Sequence, residues 1–339
     1  TGLASRLRGK AEGRNMASRF TFDGALMFGF RAAHAKSFPW KFALAFAVVS
    51  TALTALFAWL TKDAIFGFID TVEQLDSVGA DDPAQVFSVF FDLFGGLLPW
   101  IVLGSLASLV VWAMFMAATQ RRYIRDEAFS IRFGPDELRM MIVGVIWYVG
   151  VSLMYLLPGL IMLPMFGMIT DFANGDVSEN EMVAFMLGRM SIVALIFLVL
   201  FPVYVFFATR FSPVFAMTVK EGRIAFGDAW IVSRGRFWPI LGAFLIVAIV
   251  GGMAVSFASS IAQMVVTPAF MDSVTRVEDS SELRSLFTPT LTIALLLYAF
   301  IRYFLSGLLM HFVQGPAAFA ARHDPRGSVD DALSVEEFN

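Results

Sequence analysis

Uncharged apolar runs, each long enough for one element, set the plan of this chain. Residues 238–271 carry no charged side chain over 34 positions, and 140–170 carry none over 31. About 20 consecutive apolar residues cross a bilayer core, and 18 without charge already make a candidate span. By this measure six spans are predicted: 42–60, 97–119, the first part of 140–170, 190–209, one within 238–271, and 291–312. The run 140–170 is too long for one straight span, since 31 residues make about 46 Å of helix against a core of about 30 Å. Pro158 and Pro164 lie within it, so a kink or end near Pro158 is expected, with the remainder turning along the interface.

The stretches between these runs alternate in charge. Residues 61–96 hold Lys62 against seven acids, and 171–181 hold acids with no Lys or Arg. The N-terminal segment, 120–139, 210–237 and the tail together carry 20 Lys and Arg, and the three loops on the other side carry 3. The positive-inside rule counts these residues rather than net charge. It places both termini in the cytoplasm. Within 61–96, the groups Ile65–Ile69 and Val86–Phe94 suggest two short helices on the outer surface.

Residues 22–38 read as a surface helix: Asp23 can cap it, and Phe22, Leu26, Phe30 and Ala33 share one face. Such a helix rests in the interface. Related openings recur. Phe22-Asp23-Gly24-Ala25 reads against Phe133-Gly134-Pro135-Asp136 and Phe226-Gly227-Asp228-Ala229. The ends of two spans also match, Ala117-Ala118-Thr119-Gln120-Arg121 against Phe207-Ala208-Thr209-Arg210. The expected architecture is an all-α integral membrane protein of three helical hairpins, 20–122, 131–212 and 224–321, each preceded by an amphipathic interfacial helix. Residues 1–19 form a basic arm and 322–339 a mobile acidic tail. Met16-Ala-Ser-Arg-Phe reads like a natural beginning, which makes 1–15 an upstream extension or a disordered arm.

Composition agrees with the runs: 58% of residues are hydrophobic and 16% charged, against about 45–50% and 25% for soluble domains. The absence of Cys excludes disulfides, thiolate metal sites and a cysteine nucleophile. His34, His311 and His323 are too scattered for a metal motif read from spacing. No cofactor and no nucleic-acid partner is implied.

The segment Arg210-Phe211-Ser212-Pro213-Val214-Phe215-Ala216, then Glu221-Gly222, then Ala229-Trp230, then Ser233-Arg234-Gly235-Arg236-Phe237-Trp238 before a Leu/Ile/Val run, carries a resemblance. It resembles uncharacterised bacterial six-span membrane proteins grouped with the membrane domain of some glycerophosphodiester phosphodiesterases. The likeness covers mainly 205–250. It implies a six-span domain in a bacterial inner membrane and carries no activity. The catalytic barrel attached in those enzymes has no room in the longest predicted loop, 61–96.

Few residues invite chemistry. Arg302 is the one charge well inside a span, and no acid lies within a span to pair with it. A mid-membrane Arg costs about 2.5–3.5 kcal/mol on insertion scales, so it marks either a function or a snorkelling side chain. Tyr298 and Ser306 lie one turn either side of it, and the three are a candidate contact for an anion or lipid headgroup. Arg121, Arg122, Arg234 and Arg236 are candidates for lipid-surface contact at the cytoplasmic face. Gly252, Ser256 and Ser260 form a small-residue stripe for helix packing, and Gly104 with Ser108 forms another. Trp40, Trp100, Trp147 and Trp238 read as interfacial anchors.

The function these features imply is a non-enzymatic inner-membrane protein acting through lipid contact or as a scaffold or subunit of a membrane assembly. Its partners would be anionic lipids and other membrane proteins. The alternative is a transporter or channel for a small or anionic solute, with Arg302 in the pathway. A lipid-modifying enzyme is third, because no acid or His cluster lies within the spans.

Overall fold

The computed structural model describes residues 20–78, 83–173, 177–274 and 288–329. The basic arm before them and the end of the acidic tail lie outside the described residues. Every described element is a helix: α1 Phe22–Arg31, α2 Phe38–Val78, α3 Pro83–Arg125, α4 Pro135–Met162, α5 Pro164–Ala173, α6 Glu179–Phe211, α7 Val214–Glu221, α8 Phe226–Ser233, α9 Phe237–Val274, α10 Pro289–Val313 and α11 Gly315–Arg322. Six helices are long and apolar enough to cross a membrane. They are those built on α2, α3, α4, α6, α9 and α10. The protein is therefore a polytopic, all-helical membrane protein.

Boundaries follow local chemistry. Proline opens α3, α4, α5 and α10, at Pro83, Pro135, Pro164 and Pro289. Its missing N–H is no loss there and its fixed φ suits the first turn. The long apolar run breaks at Pro164 rather than at Pro158, which α4 carries within it. Thr21, not Asp23, caps α1: its hydroxyl accepts from the Gly24 amide at 3.1 Å. That helix stops at Arg31, and a turn with His34 at φ 60° leads into α2. Gly222 (φ 62°) and Gly235 (φ 75°) end α7 and α8 in the left-handed region.

The expected short helices in 61–96 are not separate. α2 runs unbroken to Val78 and α3 starts at Pro83, with 41 and 43 residues. Each is about 60 Å long, roughly twice a bilayer core. The expectation of an interfacial helix before every hairpin also needs correction. α1 precedes the first hairpin and α8 the third, but α4 opens directly from its Gly134 cap. α8 is not a free surface helix, since Asp228, Ala229, Val232 and Ser233 are buried.

Helices adjacent in the chain pack on one another, α2 on α3, α3 on α4 and α9 on α10, and α10 returns to α2. α6 meets α4 along its length and reaches α9 through Phe206 and Phe237. The core is not spread evenly. The most apolar stretches of the six spans bury only 0–28% of their residues inside the protein. The main core instead gathers Ala113, Met116 and Tyr123 of α3, Val214–Val219 of α7, Ala229 of α8 and Ala318–Ala321 of α11. All belong to the end where the basic loops lie. Thus a packed platform forms at the basic end, and the spans leave it with their apolar faces largely free.

The platform shows a repeat that sequence comparison had found only in part. After the second span of the second and third hairpins the chain turns straight into a short buried helix, α7 or α11. In the first hairpin the end of α3, Thr119–Ile124, is also buried but continues the span without a break.

Candidate functional site

The platform is held by arginines placed on the ends of other helices. A helix leaves its last four carbonyls without intrahelical donors, and its dipole favours a cation there. Arg122 donates to the Gly29 carbonyl of α1 and to the Ala33 carbonyl just after it, both at 3.0 Å. Arg322 donates to the Tyr123 carbonyl of α3 at 3.0 Å, and Arg125 to the Val219 carbonyl of α7 at 2.8 Å. Arg210 reaches the Ser233 carbonyl of α8 at 3.0 Å, and Arg236 reaches the Ala320 carbonyl of α11 and the His323 carbonyl beyond it. Five helices that end at the basic side are each closed by a guanidinium from a distant segment.

Acids complete the network. Glu137 is buried, pairs with Arg121, and also accepts from the Gly134 amide at 2.9 Å, closing the first turn of α4. Asp126 takes both branches of Arg322 at 3.0 and 2.9 Å. Asp136 pairs with Arg125 and Arg139. Arg122 lies between the faces of Phe38 and Tyr123, 4.9 and 5.1 Å from the ring centres, and abuts His311 Nε2. Since a guanidinium can only donate, we assign Nε2 as the acceptor and place the ring proton on Nδ1.

The start of the tail is tied down too. Arg326 bridges Asp228 and Asp324, while Lys220 bonds Asp324 and the Gly327 carbonyl. Arg223 adds to Asp228 at 2.7 Å. The hydrogen bond from Arg326 holds the Asp228 carboxyl below its usual range, with Arg223 acting the same way. Burial pushes Asp324 upward, but its bonds from Arg326 and Lys220 outweigh this and lower it. Those bonds raise Arg326 in turn, whereas burial lowers Arg236. The tail expected to be mobile from 322 is therefore packed on the platform as far as Ser328, which is buried.

These positions correct the lipid-surface assignment. Arg121 and Arg122 are 1% and 0% exposed, and Arg236 is half-buried and donates to the carbonyls of Ala320 in α11 and His323 just beyond it. Of the four, Arg234 alone is exposed. Arg121 and Arg122 are turned inward, onto Glu137 and onto the end of α1, while Arg31, Lys36, Lys41, Arg125, Arg132, Arg223 and Arg326 stay exposed with Arg234.

Tyr298, Arg302 and Ser306 lie one turn apart on α10. Arg302 is exposed and its Nη1 donates to Ser259 Oγ of α9 at 3.4 Å. Tyr298 and Ser306 are half-buried on the same helix. The Gly252, Ser256 and Ser260 stripe is one residue out of register with the packing face. A Cβ at Gly252 would meet nothing within 4 Å, and Ser256 and Ser260 are exposed. One residue earlier, a Cβ at Gly251 would lie 2.6 Å from Leu309 Cδ1, and Val255, Ser259 and Ala262 are buried. α2 and α10 approach closely at Gly307, where a Cβ would stand 3.2 Å from the Ala43 Cα. Sequence reasoning passed over Gly307, although a small residue between aromatic neighbours in a span was the available signal.

Gly104 does mark a close approach: a Cβ there would come 3.3 Å from Phe57. Beside it α2 and α3 enclose a groove of about 790 Å³, reached also by Tyr303 of α10. Its walls include Phe57, Trp100, Ser105, Ser108 and Trp112, with no charged residue among the described lining. Thr54 and Tyr303 share a hydrogen bond of 2.8 Å, and Thr61 bonds its own Phe57 carbonyl at 2.8 Å. These hydroxyls are thus satisfied within the protein, and the groove presents apolar and aromatic surface. Trp112 closes its platform end, resting on Phe215 with rings 5.7 Å apart and covering Gly144.

No family model, curated protein or solved structure matches this chain.

Proposed function

We propose that this chain is a non-enzymatic protein of a bacterial inner membrane, with both termini cytoplasmic, working through lipid contact or as a scaffold within a membrane assembly. The observation that carries the proposal is the contrast between platform and spans. One end is locked by arginine-capped helices, while the most apolar stretches of the spans bury at most 28% of their residues. Such a body offers lipid, or another membrane helix, a large apolar surface held in fixed geometry. The charge imbalance of 20 to 3 Lys and Arg supports the orientation. The likeness of 205–250 enters as a likeness of membrane-domain design and brings no activity with it.

Arg302 donates to one serine hydroxyl and is not among the residues lining the groove, so nothing at Arg302 favours a solute pathway. The test is anion flux into vesicles carrying the purified protein, measured beside native mass spectrometry of retained lipid. Retained lipid with flux no greater than in protein-free vesicles is expected. Anion flux abolished by Arg302→Ala in a protein of unchanged thermal stability would overturn the proposal in favour of transport.

A further inference from the structure

We infer that the groove between α2 and α3 holds a single extended hydrocarbon chain of a membrane lipid. This deepens the lipid-contact reading above and rests on it. The groove runs from Phe46 to Ile65 on α2 and from Leu97 to Trp112 on α3. At 1.5 Å per residue these stretches are about 28 and 22 Å long. That length approaches the depth of a bilayer core, about 30 Å.

Dividing about 790 Å³ by roughly 25 Å gives a mean cross-section of about 32 Å². An alkyl chain whose neighbours sit at about 4.5 Å occupies roughly 20 Å². An α-helix about 10 Å across needs about 80 Å². One chain fits with room to move, and a helix would have to lie mostly outside the groove.

Chemistry points the same way. The described lining carries no charge, and Thr54, Thr61 and Tyr303 already have partners. A polar solute would lose its water here and find no charge, only the hydroxyls of Ser50, Ser105 and Ser108, in return. A hydrocarbon chain loses nothing, because the bilayer it leaves is equally apolar, and it gains contact with the rings of Phe57, Trp100 and Trp112. Ser105, Ser108 and Ile101 are exposed along the groove, which leaves a side open for entry.

Trp112 makes this testable. One side of its indole packs on Phe215 and Gly144 and it lines the groove, so a chain seated there lies against it. Trp59 is 62% exposed and reports ordinary lipid contact. Full-length reporters keeping Trp112 alone or Trp59 alone, the other tryptophans replaced by Phe, are placed in vesicles of phosphatidylcholine brominated mid-chain. Unbrominated vesicles are the reference. The expected result is quenching of both reporters, with quenching of Trp112 lost on adding Ser108→Phe, one turn away within the groove. Quenching of Trp59 with none of Trp112 overturns the groove proposal and leaves the lipid-contact reading standing. Quenching of neither overturns both.

If the reporters fail to fold, the unsubstituted protein is labelled with a lipid carrying a diazirine mid-chain, and crosslinks are mapped. Label on the α3 peptide holding Ser105 and Ser108 is expected. Label confined to outward peptides such as α6 overturns the groove proposal, and no label anywhere overturns both.

Discussion

Arg122→Ala tests whether arginine caps hold the platform together. The side chain is fully buried and reaches the Gly29 and Ala33 carbonyls and His311. Its removal leaves two buried carbonyls without those donors, at about 1–3 kcal/mol each. The vacated volume between Phe38 and Tyr123 adds a cavity, and large-to-small core changes run about 2–5 kcal/mol. Against this, a buried charge no longer has to be kept from water, which returns part of the loss. The balance is about 3–5 kcal/mol, the carbonyl and cavity costs less the part returned by removing the buried charge. At about 2–4 °C per kcal/mol, the apparent Tm in detergent should fall by roughly 6–20 °C. The loss should also be local. Hydrogen exchange should rise first in α1, whose C-terminal carbonyls lose their donor, before it rises in α9 or α10. Arg122→Met separates the causes, since it refills much of the volume without restoring any hydrogen bond. Exposed Arg234→Ala is the control. If Arg122→Ala moves Tm no further than Arg234→Ala, and α1 exchange is unchanged, the capping argument is wrong.

Packing register gives a sharper contrast at neighbouring positions. Gly251→Leu should destabilise the fold strongly, because even its Cβ meets Leu309 at 2.6 Å, and Gly252→Leu should be close to neutral in detergent stability. Equal effects from the two would refute the α9–α10 register. The tail clamp should respond to acid. Asp228 and Asp324 are held below their ordinary values, so their contribution is complete above the unfolded aspartate value of about 3.9 and fades as pH falls through the lower folded values. Proteolysis near Gly327 should therefore accelerate below about pH 4, and Arg326→Ala should make it fast at neutral pH as well. Cleavage that ignores both pH and Arg326→Ala would refute the clamp. Gly24→Val should loosen α1 from α11, since a Cβ there stands 2.5 Å from Phe319 Cζ. Preserved α1 protection in hydrogen exchange would count against that contact.

The helical class and the six spans could be read in the chain because hydropathy is a one-dimensional quantity compared with a fixed bilayer thickness. Gly104 announced a real close approach. Helix lengths were not legible: charge marks where an apolar run ends, but nothing local shows that α2 and α3 continue as helix beyond it. The packing stripe on α9 was misread by one residue: Gly251 and Gly252 are both glycine, and only the position of Leu309 distinguishes them. Arg234 and Arg236 stand two residues apart in one basic loop, yet one is exposed and the other reaches the carbonyls of Ala320 and His323. Arg322 closes a helix 199 residues upstream at Tyr123. A sequence shows which residues can donate. Which helix end lacks a donor within reach is decided only when distant ends meet, and that meeting drew Arg122 into the interior of the platform while leaving Arg234 at its surface.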